Sequence, residues 1–240
     1  MDIPTKKHRK ILITQALPYA NASLHLGHIL EAVQTDIWSR YQNLNGNECY
    51  FFCADDTHGT PVMLKAKELN ISPEELIKNI YKDHIKTYEK YNILFTNFYS
   101  THSDENKNYS EFIYEKAKSK NLITREKIEQ LYDDKEKMFL SDRFIKGSCP
   151  KCDAEDQFGD NCGKCGASYD VLDIKNPIST ISNTSPIKKQ SEHIFFNLEK
   201  QKDILENFLD KANLQDPVKN KLKEWLDDDL KKWDISRDEP

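Results

Sequence analysis

The apolar positions divide the chain into segments with different periods. Residues 11–17, ILITQAL, are a nearly unbroken apolar run, as expected of a strand buried on both faces of a parallel sheet. After the turn PYANASLHLGH, the residues Leu26, Ile29, Leu30, Val33, Ile37, Trp38 and Tyr41 recur at helical spacing and predict one apolar face. The link NLNGNE leads to a second buried run, CYFFCA, so strand, helix and strand make a βαβ unit. A further helix starts at Ser72-Pro73-Glu74-Glu75: Ser72 caps it, Pro73 suits its first position and Glu75 completes a reciprocal cap. Its apolar face is Leu76, Ile77, Ile80, Tyr81, Ile85 and Tyr88. ILFTNFYST then predicts a third strand and YSEFIYEKAKSKNLI a helix.

Near residue 120 the pattern changes. IEQLYD, MFLSDRF and SEHIFFNL predict short strands around a segment rich in Gly and Cys. A last helix starts at Asp216-Pro217, with Val218, Leu222, Trp225, Leu226 and Trp233 on one face. Trp38 and Trp225 are expected to pack in cores. The expected boundary therefore lies near 120. The acidic run at 227–229 is expected on a solvated helix face, since no metal-site spacing accompanies it.

At 240 residues the chain is long enough for one or two domains with substantial cores. Its 38% hydrophobic and 31% charged residues place it with globular rather than disordered proteins. A net charge of −5 argues against a generally basic nucleic-acid surface, while 35 Lys and Arg leave room for a local basic face. No segment approaches the roughly 18 apolar residues that span a bilayer, and Pro18 and Asn21 interrupt any signal-peptide core. No membrane association and a cytoplasmic location are the resulting expectations.

Cys149, Cys152, Cys162 and Cys165 have the spacing C-x2-C-x9-C-x2-C. Two tight turns that each present two thiolates suit one tetrahedral zinc ion better than a disulfide framework. A closed four-thiolate set leaves no position for reacting water, so the zinc is expected to be structural. An iron–sulfur centre or redox pairs are the other chemical readings. Cys49 and Cys53 have no second pair and are expected to pack as small side chains.

Leu24-His25-Leu26-Gly27-His28 stands where the first strand hands over to its helix. His25 and His28 share a face of the first turn, where free amides and the positive helix end favour phosphate. Imidazole donors there suit oxygens that gain charge during nucleotidyl transfer. Gly27 allows a base or ribose close to the backbone. The motif is short, and a surface turn with ordinary histidines is the lesser alternative, weakened by the position after a buried strand. There is no G-x-G-x-x-G dinucleotide loop. Asp56 follows the second strand near the crevice where open α/β sheets bind ligands, and His58 either contacts ligand or holds that loop.

Taken together, TQALPYANASLHLGH, CADDTHGTP, the cysteine cluster and WDISRD resemble the bacterial-type methionyl-tRNA synthetases, a class I family, in the family's order over nearly the whole chain. Residues 25–28 match the "HIGH" signature with Leu26 in its second place. Gln15 departs from the small residue or cysteine of many relatives. The resemblance implies an α/β fold in which residues 1–120 are the first half of a Rossmann-like parallel-sheet catalytic domain. Residues 121–232 would be a connective insertion with its zinc knuckle at 147–170, and 233–240 the return to the catalytic core.

The implied reaction attaches methionine to its tRNA through methionyl-adenylate, with Mg-ATP as substrate. By resemblance, His25, Gly27 and His28 meet ATP. His25, His28 and Arg237 support the transition state; Ala16, Leu17 and Tyr19 line the methionine pocket, and Asp56 pairs with the substrate ammonium. The family's second signature, KMSKS, does not occur in these residues. The resemblance therefore leads us to expect a truncated portion that is inactive in isolation, or one half of an enzyme completed by a second chain. An uncovered sheet edge, poor solubility or dimerisation are expected with it. The alternative function is a zinc-containing tRNA-binding or scaffold module without catalysis.

Overall fold

The computed structural model describes residues 8–227 and 230–238, so Asp228 and Asp229 of the acidic run, and residues 239–240, lie outside the described residues. The chain divides into two compact units between Glu111 and Phe112.

The first unit runs β1 (Lys10–Thr14), α1 (Leu26–Leu44), β2 (Glu48–Asp55), α2 (Thr60–Leu69), α3 (Pro73–Lys90), β3 (Asn97–Ser100) and the start of α4 (Asp104–Ser119). Its three strands form a parallel sheet in the order β1-β2-β3, with Ile13 opposite Phe51 and Cys53 opposite Phe98. Parallel neighbours require crossovers, which α1 and the α2–α3 pair supply. The core joins Ile13, Ile29, Ala32, Phe51, Cys53, Tyr88, Ile93 and Phe98. Phe95 stands 4.5 Å from Phe51 and 5.0 Å from Tyr88, ring to ring, in tilted and edge-on contacts that suit aromatic quadrupoles. Cys53 packs in this core as a small apolar side chain, and burial pushes its thiol up to about 11.

Ser72 caps α3 through the Glu75 amide at 3.1 Å, as its sequence predicts. Two other expectations are corrected. β1 is shorter than ILITQAL and does not bury both faces: Leu12 is 69% exposed while Ile13 is buried. On α1 the buried positions are Ile29, Ala32, Asp36, Ser39 and Gln42. Leu30, Ile37, Trp38 and Tyr41 of the predicted face are exposed.

Hydrogen bonding explains the rotation of α1. Asp36 accepts the Leu94 amide at 2.9 Å and the Arg40 Nε–H at 2.5 Å, and Arg40 in turn donates to the Asn92 carbonyl. Gln42 accepts from Asn47 at 2.7 Å. Asp36 ties down the loop before β3 and Gln42 the residue before β2, and satisfied partners make their burial tolerable.

The second unit contains the end of α4 followed by β4 (Ile123–Asp133), β5 (Met138–Phe139), β6 (Ile145–Ser148), β7 (Gln157–Phe158), β8 (Lys175–Ser179), β9 (Ile187–Phe196), α5 (Lys202–Lys211), α6 (Asp216–Asp227) and β10 (Trp233–Asp234). An antiparallel sheet orders β10-β9-β4-β5, and a smaller one orders β7-β6-β8 beside the cysteines. MFLSDRF forms a strand only at Met138–Phe139 and then a 3-10 turn over Asp142–Phe144. Leu131, Leu140, Ile145 and Ile174 form the core. Trp225 is 58% exposed, which corrects its core assignment. On α5 and α6 the buried residues are Leu209 and Leu226, a narrow seam that leaves the indole outside.

The rotation of α1 predicts unequal costs. Asp36→Ala should lose roughly 1–3 kcal/mol in urea unfolding, because it strands the Leu94 amide. Trp38→Ala should lose less than about 1 kcal/mol. The reverse order would show that the apolar stripe, not the polar one, faces the sheet.

Candidate functional site

The site residues of the first unit gather where β1 and β2 end. The strands stop pairing, but the chains stay joined: Asp56 N donates to the Pro18 carbonyl and Ala20 N to the Asp56 carbonyl, both at 2.8 Å. This bridge sets Tyr19 directly beside Asp56. The Tyr19 hydroxyl donates to the His58 carbonyl at 2.6 Å, and a Cβ on Gly59 would meet that hydroxyl at 2.8 Å. Gly59 also has a φ of +105°, so a side chain there is disfavoured twice. Burial pushes the Asp56 carboxyl above its ordinary range, and the nearby His58 opposes that shift. Tyr19 is raised by burial and then by Asp56. Ala16 and Leu17 are exposed on the loop after β1, whose course is held by the Ala16 amide donating to Glu31 at 2.8 Å.

α1 begins with the two histidines in an unusual cap. His25 is the N-cap residue, and its Nδ1 accepts the Gly27 amide at 3.1 Å. His28 reaches back so that its Nδ1 accepts the His25 amide at 3.3 Å. The rings stack with centroids 3.7 Å apart and 16° between planes. With both Nδ1 atoms accepting, the ring protons sit on Nε2, which leaves two N–H donors at the helix start. Burial, then His25, lowers the His28 pKa and favours this neutral form. The Gly27 amide is therefore taken by the cap rather than left free. A Cβ on Gly27 would come within 2.9 Å of the His25 ring, so a side chain there would displace the imidazole from its cap.

One supporting pair has no motif in the sequence. His84 and Asp55 are completely buried, with Nδ1 2.7 Å from Asp55 Oδ1 and Nε2 2.9 Å from the Ala22 carbonyl. Both ring nitrogens face acceptors. Burial opposes the imidazolium, yet the bonds to Asp55 and Ala22 carry its pKa above the ordinary value. The pair ties the end of β2 to the loop that delivers His25. Its one sequence signal is a histidine within the apolar stripe of α3, between Ile80 and Tyr88.

In the second unit, the Sγ atoms of Cys149, Cys152, Cys162 and Cys165 all lie within 4.8 Å of one another. Cys149 and Cys165 are 3.9 Å apart and Cys152 and Cys162 3.7 Å, far beyond a disulfide bond. These separations match the edge, roughly 3.8 Å, of a tetrahedron with sulfurs about 2.3 Å from its centre. Each turn directs a backbone amide at its first cysteine, from two residues on in the first pair and three in the second. The Lys151 amide points at Cys149 Sγ (3.3 Å), and the Cys165 amide at Cys162 Sγ (3.4 Å). A left-handed residue follows each second cysteine, Asp153 at φ 58° and Gly166 at φ 70°. The donor set thus fits a metal ion such as zinc. Arg237 lies in the second unit just after β10, with a largely exposed side chain. No described helix is long and apolar enough to cross a membrane.

The fold has solved counterparts. Mycobacterium tuberculosis methionyl-tRNA synthetase bound by methionyl-adenylate matches with a TM-score of 0.69 at 18% identity, covering 97% of this chain and 41% of that one. A second structure of that enzyme with methionyl-adenylate gives 0.68 at 18% identity, covering 96% and 41%. The ternary complex of Agrobacterium radiobacter LeuRS with tRNA and LeuAMS gives 0.64 at 17% identity, covering 93% and 26%. The chain thus spans well under half the length of each of these solved chains. At such identities the structures establish a shared fold. The sequence model described as tRNA synthetases class I (M) matches residues 11–240. Reaching from the start of β1 through the histidine cap, the cysteine turns and the Arg237 segment, that match establishes that the chain belongs to the class I tRNA synthetases of this group.

Proposed function

We propose that this chain serves ATP-dependent attachment of methionine to its tRNA through methionyl-adenylate. The observation that carries the reading is the cap of α1, in which both histidines use Nδ1 on backbone amides and keep Nε2 for a ligand, in the same unit as the Tyr19–Asp56 bridge. Donors fixed before a ligand arrives need no reorganisation as charge develops on phosphate oxygens. The methionyl-adenylate named with two of the structural counterparts supports the same substrates.

His25 and His28 would hydrogen-bond ATP and its transition state, with Gly27 leaving room beside them. Ala16, Leu17 and Tyr19 would surround the methionine side chain, and the Asp56 carboxylate would pair with its ammonium. Arg237 would add positive charge to the activation step. Mg-ATP, methionine and the methionine tRNA are the proposed ligands, in the cytoplasm. On this reading residues 1–120 carry the first half of the catalytic domain, 121–232 the connective insertion and 233–240 the return to the catalytic core. Further catalytic elements, including a KMSKS loop, would come from additional polypeptide, either in the same chain or from a second one.

Calorimetric titration tests the site without requiring turnover. Asp56→Asn should weaken methionine binding roughly 10–100-fold, the worth of a charge-assisted hydrogen bond, while ATP affinity changes little. Because burial raises the Asp56 pKa, methionine affinity should fall with decreasing pH sooner than for an exposed aspartate. His28→Ala should weaken ATP and spare methionine. Unchanged methionine affinity in Asp56→Asn would remove the ammonium assignment, and RNA binding with no affinity for methionine or ATP would favour a non-catalytic RNA-binding module.

For the cysteine turns we propose one structural zinc. Cys149, Ala154 and Cys162 are the only buried residues of their small cluster, so metal binding, on the order of 10 kcal/mol, would supply most of its stability. Metal analysis should find close to one zinc per chain. Chelation should speed proteolysis within residues 147–170 and leave α1 and β2 protected from hydrogen exchange. A stoichiometric iron–sulfur absorption band, or a knuckle indifferent to chelation, would contradict the assignment.

A further inference from the structure

His193 on β9 is 2% exposed and stands between two carboxylates. Its Nδ1 lies 2.5 Å from Asp234 Oδ2 and its Nε2 lies 2.7 Å from Asp238 Oδ2. The same Asp238 oxygen accepts from Gln130 Nε2 at 2.6 Å and from the Ser191 hydroxyl at 3.1 Å. Gln130 Nε2 is 2.9 Å from His193 Nε2 because both nitrogens converge on that oxygen. With a carboxylate oxygen at each ring nitrogen, His193 bonds both Asp234 and Asp238 only when both nitrogens carry protons. The backbone adds two ties: Ile235 N donates to the Ile194 carbonyl at 2.9 Å, and Ile194 N to the Ser236 hydroxyl at 2.8 Å.

These bonds fasten residues 234, 235, 236 and 238. Arg237 is the residue between them, and its side chain is 71% exposed. Its Nη1 donates to the carbonyls of Asp234 (3.3 Å) and Ser236 (2.5 Å) and stands 3.9 Å from Asp234 Oδ1. Among the described residues, few other charges bear on the imidazole. Glu126 of β4 is its register partner but is bonded by Lys232, and Gln130 and Ser191 are neutral.

We propose that His193, as an imidazolium shared by Asp234 and Asp238, is the positioning residue that presents the Arg237 guanidinium, and that losing its proton loosens that segment. The consequence for catalysis rests on the role of Arg237 proposed above; the clamp itself does not. Burial disfavours the charged ring, but the bonds to Asp238 and Asp234 raise its pKa over the ordinary 6.5. Burial likewise opposes the Asp238 carboxylate, and the bonds from His193, Gln130 and Ser191 hold its pKa down. A raised histidine pKa contributes stability that is complete below the unfolded value and is lost as pH climbs through the folded one. The segment is therefore held between the depressed Asp238 pKa and the raised His193 pKa, and is released as pH climbs through the latter.

Trypsin cleavage after Arg237, followed by mass spectrometry in the whole chain and scaled to a free peptide of residues 228–240, reads the clamp directly. The chain should be cut at least ~10-fold more slowly than the peptide near pH 6.5, and the gap should close as His193 deprotonates. His193→Gln should be cut at close to the peptide rate at every pH. Asp238→Asn, scaled to a peptide with the same change, should lose most of the pH-dependent step even if His193→Gln folds poorly. Equal protection of His193→Gln and the parent chain would overturn the proposal. So would protection that stays level from about pH 6 to 9 while the His193 Cε1–H resonance titrates. If Arg237→Ala leaves adenylate formation unchanged while the parent keeps its pH-dependent protection, the catalytic role of Arg237 fails and the clamp stands.

Discussion

The candidate site depends on how two parallel strands end. Beyond Thr14 and Asp55 the sheet ladder is finished, yet the backbone of Asp56 bonds to both Pro18 and Ala20. Two bonds at a single residue fix the loop after β1 against the loop after β2. From there the chain has only a few residues in which to turn and begin α1. The completely buried His84–Asp55 pair removes the remaining freedom by gripping the Ala22 carbonyl. His25 thus enters the helix at a determined angle, and removing either buried partner would leave an uncompensated polar group.

The cap of α1 meets two demands with one pair of side chains. A helix start needs acceptors for its first amides, commonly supplied by Ser, Thr, Asp or Asn. Here imidazole nitrogens accept instead, and doing so determines the tautomer of both rings. A serine would satisfy the same amides but present no second donor outward. The cysteine turns follow a similar logic in the other unit: backbone amides directed at sulfur and left-handed residues after each pair bring four thiols together without a sizeable apolar core.

Chemistry with short-range sequence signatures was legible. The C-x2-C spacing, the Ser72 cap and the order strand, helix, strand each depend on neighbours within a turn or two, and each appears in the structure. What could not be read depended on long-range partners. Periodicity assigned Trp38 and Tyr41 to the buried face of α1 because apolar residues are the usual occupants. The helix instead buries Asp36 and Gln42, whose partners Leu94 and Asn47 are defined only by the folded loops. The same reason hid His84 and His193, which have no motif of their own. Their acceptors stand 29 to 62 residues away for His84 and 41 to 45 for His193.

The two histidine arrangements solve different electrostatic problems. His25 and His28 use one ring nitrogen each on a backbone amide, which leaves the other for a ligand. His84 and His193 place acceptors at both nitrogens, which favours the cation and leaves no donor for a ligand. Burial acts against charge in both of the latter cases, and the carboxylate fixed beside each ring is what raises its pKa in spite of that burial. That division separates side chains that can address a substrate from those that can only hold backbone in place. It also explains why the residues flanking a histidine say little about its role, since whatever faces its second nitrogen decides between the two.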